Sequence, residues 1–124
     1  MKKKQVIEEI IILPKKFFNY ENNKSISALL KETGYFEMHN EIKEDDILKV
    51  LLAHSNYVNH WLNWSADKRS SSGWYFKHGP NHNEYIVNYF PKNLKNEEMI
   101  YSNPKNACAA FIKREMETIR KIKP

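Results

Sequence analysis

Five histidines, one cysteine and a run of serines are the residues of this chain that could do chemistry, and their spacing decides what chemistry is open to them. His78 and His82 lie four apart in one Gly-Pro-Asn segment, while His54 and His60 lie six apart in a stretch of helical apolar periodicity. Zinc needs three or four convergent ligands, each with a supporting outer shell. There is no Cys pair and no His-Glu-x-x-His pattern, so no metal site is expected. Nucleophilic catalysis needs a Ser or Cys beside a base that a third group orients. Ser65 and the Ser70–Ser72 run have no strand–elbow–helix glycine pattern around them, and Cys108 falls at a helical core position. Glu44, Asp45 and Asp46 are close in sequence but read as the solvated start of a helix, not as the paired carboxylates of a glycosidase cleft. With three glycines in the chain there is no loop to cradle a phosphate. No catalytic constellation and no cofactor are expected, and the reading is of a non-enzyme.

The remaining dense segment is Trp61-Leu-Asn-Trp64-Ser-Ala-Asp67-Lys68-Arg69-Ser-Ser-Ser-Gly73-Trp74-Tyr75-Phe76. Aromatic rings beside cations suit nucleic-acid stacking or an interface anchor. The same rings also suit a core in which a helix meets a hairpin, and burial is the commoner fate of such residues.

The elements that must position these residues can be traced along the chain. A length of 124 residues fits one domain over 1–124, with 1–24 as an N-terminal segment and 25–122 as the core. Three Trp, seven Tyr and six Phe are enough to build that core. Residues 5–13 read as a short helix or a strand that Pro14 stops. Ser25 is placed to cap a helix with apolar Ile26, Leu29 and Leu30, and Gly34 to end it in the left-handed conformation, with Tyr35 and Phe36 packing back beneath. From Lys43 the apolar positions Ile47, Leu48, Leu51, Leu52, Val58 and Leu62 keep helical spacing as far as Trp64, with a kink near Ser55-Asn56. Two strand-like runs, 74–77 and 84–90, flank a loop from His78 to Asn83 and make a hairpin, which needs a third strand or a helix against it. Asn103-Pro104 opens a C-terminal helix with an apolar stripe at Cys108, Phe111, Ile112, Ile119 and Ile122. The expected fold is α+β, with three or four helices on a small antiparallel sheet containing a hairpin at about 74–90 and a C-terminal helix at about 104–122.

Charge is uneven. Residues 1–20 carry a net +3, residues 21–67 a net −4 and residues 68–124 a net +6, within an overall +5. Such a field steers encounter with a charged partner. The basic half opens a nucleic-acid alternative, but its cations alternate with Glu97, Glu98, Glu115 and Glu117 and no nucleic-acid-binding signature accompanies them. A lone cysteine, no apolar run of membrane-spanning length and no signal-peptide pattern make the cytoplasm the expected compartment.

Four segments together resemble small bacterial immunity proteins of contact-dependent growth inhibition and other polymorphic toxin systems. They are Ser25–Gly34-Tyr35-Phe36-Glu37, Trp61-x-x-Trp64-Ser-x-Asp67-Lys68-Arg69, Ser72-Gly73-Trp74-Tyr75-Phe76 and Ala107-Cys108-Ala109-x-Phe111-Ile112-x-x-Glu115. The likeness spans about residues 25–122. It implies a cytoplasmic inhibitor without chemistry of its own, which binds the C-terminal toxin domain of a cognate protein, often a nuclease. Such families share no binding residues, so contact candidates come from this chain's own pattern. Lys68, Arg69, Lys77, His78 and His82 sit on a turn and a loop beside the hairpin, where recognition residues gather. Glu41, Glu44, Asp45 and Asp46 form the acidic alternative. Oligomeric state is left open by the sequence.

Overall fold

The computed structural model describes residues 2–17, 25–67, 73–90 and 98–121. Chain order runs through α1 (Lys3–Ile11), α2 (Leu13–Phe17), α3 (Ile26–Thr33), α4 (Tyr35–Met38), α5 (Glu44–Leu52) and α6 (Tyr57–Ala66). It continues with β1 (Gly73–His78), β2 (Tyr85–Phe90), β3 (Met99–Tyr101) and α7 (Pro104–Lys121). The α+β class, the hairpin and the C-terminal helix are as the sequence predicts.

Three local departures have physical causes. Pro14 does not end the helical course. It occupies the first turn of α2, where its missing N–H costs nothing, so the chain turns at Ile12 and resumes as a helix. The expected long helix from Lys43 to Trp64 is two helices. Ala53 and His54 donate to Val50 and Leu51, three residues back, which tightens and closes α5 before Tyr57 N–H, bonded to His54, opens α6. The expected count of three or four helices therefore rises to seven helical segments among the described residues, several of them only one or two turns long.

At the start of α3, Ser25 Oγ accepts from Ala28 N–H at 3.1 Å. Gly34 ends that helix with φ 91° and donates to Lys31 C=O. Thr33, buried beside it, donates to Leu30 C=O and accepts from Tyr35 N–H, so the chain turns straight into α4. A side chain at Gly34 would occupy the left-handed region at a cost of about 1 kcal/mol. Gly34→Ala should accordingly lower the melting temperature by roughly 3–6 °C, read in a thermal melt followed by circular dichroism.

α7 is the axis of the molecule. Asn103 Oδ1 accepts from Lys105 N–H at 2.8 Å and from Asn106 N–H at 3.4 Å, and Pro104 follows as the first helical residue. Every residue from Ala107 to Ile112 is buried, so this stretch is enclosed on all sides rather than along one stripe. α3 and α5 flank it, and β1, β2 and β3 contact it as well.

The sheet has order β1-β2-β3, all antiparallel, with Phe76 opposite Val87 and Ile86 opposite Ile100. Strand alternation divides its side chains between two faces. Trp74, Phe76, Tyr85, Val87, Met99 and Tyr101 turn to the core, where the Phe76 and Phe111 rings stack with centroids 5.9 Å apart. Tyr75, Lys77, Ile86, Asn88, Phe90 and Ile100 make the outer face. The free edge of β1 is covered by α6, and the buried Ser65 hydroxyl accepts from Phe76 N–H at 2.8 Å. That contact satisfies a donor which an edge strand would otherwise leave open to another chain.

Candidate functional site

The outer face of the sheet and the side of α6 enclose a cleft of about 900 Å³. From α6, Asn59, Leu62, Asn63 and Ala66 form one wall, as residues spaced by three and four along a helix share a face. From the sheet, Tyr75, Lys77, Asn88 and Phe90 form the other, with His78 at its end. Tyr75 and Phe90 meet edge to face at 6.4 Å between centroids.

Two features set this surface apart. Large apolar side chains stand in solvent on it: Phe90 is 48% exposed and Ile100 58%. Phe90 packs against half-buried Tyr75, while Ile100, opposite Ile86, stands four residues further along β2 on the same face. Isolated exposed apolar residues are ordinary, and it is their placement on one sheet face that makes them candidates for contact. The second feature is Asn88. The residue is only 7% exposed, and its Oδ1, itself closed to solvent, accepts no hydrogen bond among the described residues. A buried acceptor left without a donor costs about 1–3 kcal/mol, which the fold must offset elsewhere.

The structure brings some of the expected contact residues to this place and not others. Lys77 and His78 are exposed on β1 at the cleft, with the His78 ring 4.9 Å from that of Tyr85. His82 is exposed in the hairpin loop, which Gly79 N–H closes onto Glu84 C=O at 2.7 Å. Lys68 and Arg69 lie outside the described residues. The acidic set sits instead around the start of α5, and part of it is engaged within the fold. Asp46 accepts from Lys43 N–H at 2.9 Å and lies 3.4 Å from Lys3, and that backbone bond above all holds its carboxyl below the usual range. Glu44 pairs with Arg114 at 2.9 Å. Glu41 and Asp45 are exposed.

Asn59, Asn63, Tyr75, Asn88 and Phe90 were not foreseen as site residues. Alternation along the two strands, with the hairpin register, places Tyr75, Lys77, Asn88 and Phe90 on one face. The apposition of α6 has no local signal.

A second polar cluster joins α4 to α7. Tyr35 donates to Glu117, Lys113 donates to the Tyr35 hydroxyl at 2.8 Å and to His39 C=O at 2.9 Å, and Arg120 holds Glu117 through two bonds of 3.0 and 2.9 Å. The Arg120 bonds draw the Glu117 carboxyl down to about 2, with the Tyr35 hydroxyl and Lys113 adding to the effect. Burial, followed by the Glu117 carboxylate, pushes the Tyr35 phenol well above its ordinary range, and burial also lowers Lys113. These groups are spent on one another, which makes the cluster a clasp between helices.

Among the described residues no group of three or more His, Cys, Asp or Glu could hold a metal ion. Burial pushes the Cys108 thiol far above its usual range, the opposite of what a nucleophile needs. No helix among the described residues is long and apolar enough to cross a membrane. The described residues thus form an α+β fold with a cleft between α6 and the outer sheet face, on which Phe90 and Ile100 are exposed. Comparison with protein families, curated proteins and solved structures finds no match to this chain.

Proposed function

We propose that this protein is an immunity protein, acting in the cytoplasm, that neutralises the toxin domain of a cognate partner by binding it. The observation that carries the reading is the outer sheet face, where Phe90 stands exposed against Tyr75 and exposed Ile100 and Lys77 lie on the same face, with His78 at the end of β1 and His82 in the hairpin loop. A few desolvated aromatic and aliphatic anchors inside a charged rim give a long-lived complex, and the rim charges speed its formation. The resemblance in residues 25–122 points to the same role. A nucleic-acid role has less behind it. Lys77 is the one Lys or Arg among the described residues that line the cleft, whereas tracking a phosphate backbone takes several.

The test is co-expression with the toxin encoded beside its gene. The native chain should restore growth and co-purify with the toxin. Phe90→Lys combined with Ile100→Lys should weaken the complex by about 100-fold or more, with little change in melting temperature because both residues are already exposed. No rescue and no complex with the native chain would refute the proposal.

A further inference from the structure

We draw no further inference here: the strongest candidate, the cleft between α6 and the outer sheet face with Tyr75 and Phe90 on its wall, is an apolar surface for which nothing among the described residues shows what covers it.

Discussion

Replacing Trp61 by alanine is expected to leave the chain largely unfolded at 25 °C. The indole is fully buried, with its ring centroid 5.5 Å from Trp64 and 6.1 Å from Phe111, and its Nε1–H donates to Ile11 C=O at 3.1 Å. Ile11 is the last residue of α1, where helix carbonyls run out of partners within the helix. One side chain thus fills the centre of the core and pins α1 to α6. Truncation opens a cavity, at about 3–5 kcal/mol, and leaves a buried carbonyl unpaired, at about 1–3 kcal/mol more. The sum rivals the 5–15 kcal/mol that holds a typical domain together, so little remains. Trp61→Phe separates the two contributions. It keeps an aromatic ring in the core but removes the donor, and should cost about 2–3 kcal/mol. Urea unfolding followed by far-ultraviolet circular dichroism reads both variants without relying on the fluorophore being removed. A Trp61→Ala protein within about 1 kcal/mol of the native chain would mean that α1 is not anchored through this residue.

That contact joins residues 50 apart, and its invisibility in the sequence illustrates where local reading stops. Signals whose physics is local were legible. The Ser25 cap, the Gly34 terminator, the Asn103-Pro104 start and the hairpin depend on a few adjacent residues, and each element forms where its signal stands. The break between α5 and α6 was legible only as a kink. Ala53 to Asn56 contains neither proline nor glycine, and the apolar positions on either side keep helical spacing, so nothing local forbids one helix. The strand β3 is three residues long and gains its identity from pairing with β2 rather than from its own pattern. At the site, the sheet wall followed from alternation and register, while the α6 wall is set by tertiary packing. The basic pair Lys68 and Arg69 belongs to a segment outside the described residues, so their part in binding stands as a proposal. Asn88 could not be singled out in advance. An asparagine within a strand-like run carries no mark of whether its amide will be paired.

Acidification provides the second large effect, through the clasp between α4 and α7. Glu117 titrates near 2 in the folded chain instead of at its ordinary 4.5, chiefly because Arg120 holds the carboxylate. A carboxyl whose folded value is depressed releases its proton more readily when folded, so its contribution is complete above about 4.5 and is lost as pH falls toward 2. Because about a quarter of its side chain is exposed, at 26%, water screens part of that contribution. About 1–2 kcal/mol at neutral pH is the expected size, from charge-assisted bonds to Arg120 and Tyr35. Glu117→Gln should therefore melt several degrees below the native protein at pH 7, and the two melting curves should converge as pH approaches 2. Tyr35→Phe probes the same network from the other side. It removes the hydroxyl that donates to Glu117 and accepts from Lys113, leaving Lys113 with His39 C=O and the Glu117 charge 3.9 Å away. The double variant should then lose less than the two single losses added, by about 0.5–1 kcal/mol, since both changes remove the same bond. Parallel melting curves for native and Glu117→Gln from pH 7 down to pH 2 would show that the clasp is not what acid undoes. The acid sensitivity would then lie with other carboxylates, Asp46 at the start of α5 foremost, since its own depressed titration gives a loss of the same sign.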